Sequence, residues 1–316
     1  MTSVWDELRR QRMQSLAHGE RGRLDFPDLV ELGVEGTRRV IEESNRSVAV
    51  AADVDWQDVE VEGPYGRIPV RVFRSRRGSA GPRPIVVHIH SGGFVAGGGL
   101  DQWNGHDSTL AAEADAIVVH PDFRLPPEHP FPVGLEENWA VLRWVAAGGV
   151  GQQSDPARIA VGGGCTGGNI AAVLSLMARD AGGPGLALQF LEGWPADLRA
   201  DTRSQHEFAT GYGLRKSDND FVVSQYLSDP EERWDWRASP LLVSSVRGVA
   251  PAYVSVGEWD ILRDEDVQYA DRLRDAGIPV DLHVDPRRGH GPGDDPGLPR
   301  RRLVARLREA FAVGST

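Results

Sequence analysis

Residues 158–170 read Arg-Ile-Ala-Val-Gly-Gly-Gly-Cys-Thr-Gly-Gly-Asn-Ile, an apolar run that passes straight into glycines and then into a helix-forming segment. Few folds accept such a sequence. A strand that turns sharply into a helix needs small residues on both sides of the turn, where neighbouring backbones pass closely. Gly163-Gly-Cys165-Thr-Gly167 meets that need and fits the pattern G-x-S-x-G of a nucleophile-bearing turn, with Cys165 in the serine position. The helix N-terminus beneath such a turn favours a thiolate or an oxyanion. The same stretch matches G-x-G-x-x-G through Gly162, Gly164 and Gly167, with Asp180 near the place of a ribose-binding acid. That pattern is weak alone; here it follows a hairpin and two parallel strands, and it leaves the motifs below unexplained. A buried structural cysteine in a glycine-rich turn is the plain alternative.

Around this turn, short apolar runs alternate with longer helix-like segments. The runs 85–90, 116–120, 158–161, 187–191, 252–256 and 280–284 read as buried parallel strands, and 106–114, 135–147, 167–180, 264–276 and 299–313 as the helices between them. Residues 59–74 alternate apolar and polar positions about Gly63-Pro-Tyr-Gly66, which predicts an antiparallel hairpin ahead of the sheet. The whole is an α/β doubly wound domain. Residues 1–55 carry helical spacing through Val4, Trp5, Leu8, Leu29, Leu32, Val40 and Ile41. Residues 195–245 break the rhythm with a Pro/Asp/Arg-rich stretch, a helix over 217–227 and an aromatic cluster of Tyr226, Trp234 and Trp236. Both segments are expected to form a helical cap over a core of 56–194 and 246–316.

The segment Ile89-His90-Ser91-Gly92-Gly93-Phe94 follows a strand directly and supplies flexible backbone amides, as an oxyanion-binding loop requires. Gly92 and Gly93, joined by the amide of Thr166, are the expected donors. A plain strand-to-loop turn needs one glycine rather than the run Gly92, Gly93, Gly97, Gly98 and Gly99. Asp260 comes after the strand 252–256 and His290 after the strand 280–284. Nucleophile, then acid, then base, each at a strand's end, predicts that Asp260 holds the imidazole of His290 and that His290 deprotonates Cys165. Asp264 and Glu258 compete for the acid's role and His283 for the base's, but Asp264 is expected to begin a helix and His283 to lie inside a strand. His88 and His90 share one strand face; no further His/Asp/Glu cluster of ligand spacing accompanies them, so they are read as structural and no metal or organic cofactor is expected. Glu192, in an otherwise apolar strand, is read as a satisfied polar residue rather than a catalytic acid.

On these residues the chain resembles the bacterial hormone-sensitive-lipase-like branch of the α/β-hydrolases, a group of esterases and lipases. The likeness runs over most of 55–313. It rests on His90-Ser-Gly-Gly-Phe94, on Asp122-Phe-Arg-Leu-Pro-Pro-Glu-His-Pro-Phe-Pro132 for the family's D-Y-R-L-A-P-E-x-P-F-P, on the cysteine turn, on Gly257-Glu-Trp-Asp-Ile-Leu-Arg-Asp264 and on His290-Gly291. The resemblance implies an eight-stranded sheet, a helical cap and a pocket for an acyl substrate.

The departures carry as much meaning as the match. The family nucleophile is serine, in a turn reading G-D-S-A-G-G-N, whereas here the turn is Gly163-Gly-Cys-Thr-Gly-Gly-Asn169, and His90-Ser91-Gly92-Gly93 stands for H-G-G-G. Thr166 sets a β-branched side chain beside the third amide donor, either narrowing the acyl site or adding a hydroxyl. A thiol attacks readily, but in the adduct of an ordinary ester thiolate leaves more easily than alkoxide, so the adduct returns to substrate. Simple alkyl esters are therefore expected to be poor substrates, and thioesters, lactones and activated acyl groups better ones. A second reading keeps the fold and uses His290 for proton transfer in an elimination, cyclisation or epimerisation; a third is a ligand-binding protein, which would have no need of an intact Asp260 and His290. A serine replaced by engineering would leave the same sequence.

Composition narrows the partners. The 35 Lys and Arg residues against 46 Asp and Glu give a net charge of −11, the wrong sign for most nucleic-acid or anionic-membrane binders, so a small acyl substrate is the expected partner. No apolar run approaches the about 18 residues of a membrane span. Residues 1–19 lack the apolar core of a secretory signal, which predicts a cytoplasmic protein. The single cysteine rules out an intramolecular disulfide. The exposed strand edge and terminal helices expected of such a fold leave a homodimer open.

Overall fold

The computed structural model describes residues 24–45, 49–77, 81–291, 295 and 297–313. Eight strands make one sheet: β1 (Val54–Gly63), β2 (Gly66–Ser75), β3 (Arg83–His88), β4 (Ile117–Pro121), β5 (Ser154–Gly164), β6 (Leu188–Glu192), β7 (Ala252–Gly257) and β8 (Val280–Asp285). Their order across the sheet is β8-β7-β6-β5-β3-β4-β2-β1. The β1–β2 and β2–β4 pairs are antiparallel, and every other pair is parallel. The hairpin is longer than 59–74 because alternation with the partner strand continues outward from Gly63↔Gly66 to Val54↔Ser75.

Helices cover both faces, which is why the central strands read as near-continuous apolar runs. Period two divides each strand between the faces. Val86, Val118, Ala160 and Phe190 pack with Leu110, Leu303, Leu307 and Phe311 from α2 (Asn104–Ala114) and the final helix, α8 (Gly297–Val313). Ile85, Val87, Val119 and Val161 belong to the larger core with Leu135 and Leu142 of α3 (Val133–Ala146) and Ile170 and Leu174 of α4 (Thr166–Asp180). From Thr166 to Leu176, α4 is buried on all sides, so it is the apolar axis about which that face is built.

Chain order reverses at β3, which lies between β4 and β5, and such a switch point opens a crevice at the strands' carboxyl ends. Strand β3 stops at His88 rather than at residue 90, because the Ile89 carbonyl turns toward Gly163 and Gly167. Above this crevice lie α1 (Leu29–Asn45) and α6 (Lys216–Tyr226), which pack against each other; α5 (Arg203–Glu207) precedes α6, and α7 (Arg263–Asp275) follows β7. A short strand, Leu24–Asp25, pairs in parallel with Tyr212–Gly213. Val4, Trp5 and Leu8, read from sequence as helical, lie outside the described residues. The aromatic residues of this segment divide: Tyr226 stacks on Phe94 at 3.8 Å in the main core, Trp236 packs on the same core, and Trp234 is exposed under the Arg199 guanidinium. Among the described residues no helix is long and apolar enough to cross a membrane.

The 122–132 segment is held by a buried carboxylate. Glu137 on α3, fully buried, accepts from the Arg124 amide at 2.8 Å and from the Arg124 guanidinium. Replacing it leaves a cation and an amide unpaired, and breaking a buried pair from one side costs on the order of 3 kcal/mol. Glu137→Ala is therefore expected to lower the unfolding free energy measured by urea denaturation by about that amount, and an unchanged value would show that the pair does not anchor the segment.

Candidate active site

The turn between β5 and α4 is as tight as its glycines suggest. Cys165 has φ 49° and ψ −127°, a left-handed conformation unfavourable for a residue with a side chain. A Cβ on Gly163 or on Gly167 would lie 2.1 Å from the Ile89 carbonyl oxygen, and one on Gly168 2.6 Å from Trp194. These approaches, with the Cys165 amide bonded to the Glu192 carbonyl at 2.9 Å, hold the turn closed. Gly164 is different, since a Cβ there would meet ordinary contact only, at 3.5 Å.

His290 stands between the two other residues singled out in the sequence. Its Nδ1 lies 3.1 and 3.0 Å from the Asp260 oxygens, and the Cys165 side chain is close enough to act on the same ring. Burial opposes a charged imidazole, but the Asp260 carboxylate and, less strongly, Cys165 hold the His290 pKa well above the usual imidazole value. Burial likewise pushes Asp260 up, and the charge and hydrogen bond of His290 outweigh it, leaving the carboxyl below its ordinary range. Asp260 is also fixed by the Leu262 amide at 3.0 Å, and the His290 amide by the Tyr212 carbonyl at 2.7 Å. The competing residues are engaged elsewhere. Asp264 sits in the first turn of α7 and accepts from the Ser204 amide, Glu258 from the Arg287 amide, and His283 lies within β8 beside Asp281.

Gly92 and Gly93, at φ 137° and 60°, and Thr166 line the same cavity as Cys165. Among the described residues, the amides of all three make no hydrogen bond. Thr166 does not offer its hydroxyl to the cavity alone: Oγ1 accepts from the buried Phe94 amide at 3.3 Å, joining the cysteine turn to the glycine loop. The cavity holds about 640 Å3 and runs from Phe26, Val40 and Ile41 under α1, past Cys165, to Trp103, His106 and Arg300.

Two readings from sequence need correction. Glu192 is not a satisfied polar residue: it lines the cavity, its side chain makes no hydrogen bond among the described residues, and burial raises its pKa despite Arg288, His88 and Arg300 nearby. Nor is His88 without partners. Its Nδ1 lies 2.6 Å from Asp107 Oδ1, and His120 Nδ1 lies 2.9 Å from Oδ2, so two imidazoles and a carboxylate present donor atoms within 4.8 Å of one another in the core. His106 also reaches Asp107, at 2.9 Å. Sequence spacing cannot reveal this group, because β3, α2 and β4 each contribute separately. The surrounding imidazoles hold the Asp107 carboxyl well below its usual range against its burial, while burial and His120 push His90 down to about 3. His90 is thus neutral; it stacks on Phe123 at 4.3 Å and bonds to the Ser91 carbonyl, fixing the glycine loop.

A sheet of this order with a strained cysteine turn, a strand-end acid and a strand-end histidine is the architecture of the α/β-hydrolases, and the chain belongs to that family. The family profile described as alpha/beta hydrolase fold matches residues 86–292. Among characterised relatives, the carboxylic ester hydrolase LipN of Mycobacterium tuberculosis is 41% identical over 72% of this chain and 62% of its own length. Esterase LipI of the same organism is 34% identical over 80% of this chain and 79% of its own. The chain thus spans less than two thirds of LipN. A thermostable esterase from Pseudomonas putida superposes with a TM-score of 0.82 at 28% identity, covering 96% of this chain and 95% of that one.

The His290–Asp260 pair gives stability a predictable pH dependence. With its folded-state pKa raised, the His290 contribution is complete below about pH 6.5, the free imidazole value, and fades as pH rises through the folded value. Asp260, lowered in the fold, contributes above about pH 3.9 and loses that contribution as pH falls through its folded value. Melting temperatures of the native chain and of His290→Gln are expected to differ most between these limits, about pH 4 to 6.5, and to converge toward alkaline pH. A gap that instead widens with rising pH would contradict the pairing.

Proposed function

We propose that the chain is an acyl-transfer hydrolase for thioesters, lactones or activated esters, with Cys165 as nucleophile, His290 as general base and then acid, and Asp260 as its orienting partner. The observation that carries the reading is the imidazole that meets the Asp260 carboxylate at Nδ1 and has the strained Cys165 beside it in the same cavity. With Nδ1 on Asp260, the ring's other nitrogen holds the proton given up by the thiol, and the sulfur attacks the acyl carbon. The oxyanion then forms against the free amides of Gly92, Gly93 and Thr166, where donors preorganised for developing charge act most strongly. Collapse breaks the bond to the leaving group, which departs with the proton from His290. Water, deprotonated by the same imidazole, attacks the resulting thioester, and the sulfur leaves.

The names of the relatives support ester chemistry, and the cysteine sets the preference within it. Helix α1 and residues 195–245 serve as the cap, whose apolar lining of Leu29, Val40, Ile41, Leu214 and Val222 suits an aliphatic part of the substrate. Intact-protein mass spectrometry, seconds after mixing with short acyl thioesters or p-nitrophenyl esters, is expected to show an acyl-sized increment that is absent from Cys165→Ala. No increment and no turnover with any donor, while a thiol reagent labels Cys165, would overturn the reading.

A further inference from the structure

The cavity has a second end whose chemistry the acyl-transfer steps do not use. Past Cys165 it runs along the α2 and α8 side of the sheet, where Glu192, two residues beyond Phe190, shares that residue's face. Arg300, in the first turn of α8, closes this end together with Trp103 and His106. The α8 turn is fixed in place, because Tyr253 of β7 donates its hydroxyl to the Pro299 carbonyl at 3.2 Å.

Charge is unevenly matched here. Asp285 accepts from both Arg288 and Arg302, one on each oxygen. Arg300 is half-buried and, among the described residues, has neither an ion pair nor a hydrogen bond, and Glu192 lines the same cavity without bridging to it. Among the described residues Arg300 is thus the guanidinium of this group that no carboxylate engages, and burial pushes the nearby Glu192 toward its neutral form. Arg300 therefore brings an unengaged positive charge to this end of the cavity, in a chain whose net charge is −11. A half-buried guanidinium without a partner is a site for a bidentate anion, and a carboxylate is the acyl-compatible group of that shape.

We infer that this end of the cavity is a carboxylate subsite, in which Arg300 pairs with a carboxylate carried by the substrate, so that the preferred substrates are acyl compounds with a second, free acid group. The inference rests on the acyl-transfer reading only for the word substrate; the anion site itself stands on Arg300 and its surroundings. With an acid group held at Arg300, the apolar lining of Leu29, Val40 and Ile41 in the same cavity is left for an aliphatic part of the substrate.

Two measurements separate this inference from the reading it extends. Turnover of the mono-p-nitrophenyl ester of glutaric acid is compared with that of p-nitrophenyl pentanoate, and S-acetyl-3-mercaptopropionate with S-acetyl ethanethiol, so that the acid is placed on either side of the carbonyl. One of the two pairs is expected to show KM lower by roughly tenfold for the acid-bearing member, the worth of one charge-assisted pair, with the ratio falling to near one in Arg300→Gln. Calorimetric titration with glutarate, which needs no catalysis, is expected to show binding to the native chain that Arg300→Gln loses. If acyl-enzyme forms on Cys165 but neither pair discriminates and glutarate does not bind, the subsite is refuted and the acyl-transfer reading survives. If no donor acylates Cys165 while glutarate binds through Arg300, the acyl-transfer reading falls and the anion site stands. Equal glutarate binding by both proteins would place the anion elsewhere and refute the assignment to Arg300.

Discussion

The close approach of one carbonyl oxygen governs the rest of this site. Ile89 O lies where a side chain on Gly163 or Gly167 would have to be, so β3, β5 and the start of α4 touch through backbone alone. That contact leaves Cys165 no ordinary conformation, and a residue held at φ 49° stores about 1–3 kcal/mol of strain. The strain is sustained by buried structure on every side: α4 is enclosed from its first turn, and Trp194 abuts Gly168. The consequence is positional. The sulfur is lifted to the cavity floor at the mouth of a helix, with the amides of Gly92 and Gly93 beside it because the same Ile89 begins their loop.

From this contact the other parts take their places by topology. The reversal of strand order at β3 puts the glycine loop and the cysteine turn on adjacent strand ends, while β7 and β8, successive strands at one edge, bring in Asp260 and His290. The short pairing of Leu24–Asp25 with Tyr212–Gly213 ties the segments over the cavity to His290, whose amide bonds to Tyr212. Thr166 adds a link that the sequence only half revealed, since its hydroxyl holds the Phe94 amide and so couples turn to loop.

What was legible in the sequence was what is local. The strand-to-helix glycines, the period of the buried strands and the order of strand-end residues each announce themselves within a few positions, and the ends of the expected helices fall within two residues of where their periodicity places them. What was not legible depends on distant segments meeting. His88 reads as a lone strand histidine until α2 brings Asp107 and β4 brings His120; Glu192 reads as satisfied until its side chain is found on a cavity wall. Of the aromatics Tyr226, Trp234 and Trp236, the first and last pack in or on the main core while Trp234 stays exposed, because a segment without a single period gives no one face on which to assemble them. Arg300 gave no sign at all, being one arginine among several in a helix whose solvent side is rich in them.

The proposed chemistry turns on sulfur standing where the relatives' family carries oxygen. In a tetrahedral adduct the group that leaves more easily departs, so a cysteine partitions ordinary esters back to substrate and lets thioesters go forward, while the geometry of imidazole and amides is the same for either nucleophile. The direct test is the ratio of kcat/KM for a thioester to that for the alkyl ester of the same acid, measured in the native chain and in Cys165→Ser. The account predicts a ratio that strongly favours the thioester in the native chain and falls at least about tenfold in the serine variant, through a gain in alkyl ester hydrolysis. The same ratio in both proteins would contradict it, because leaving-group preference would then not be set at Cys165.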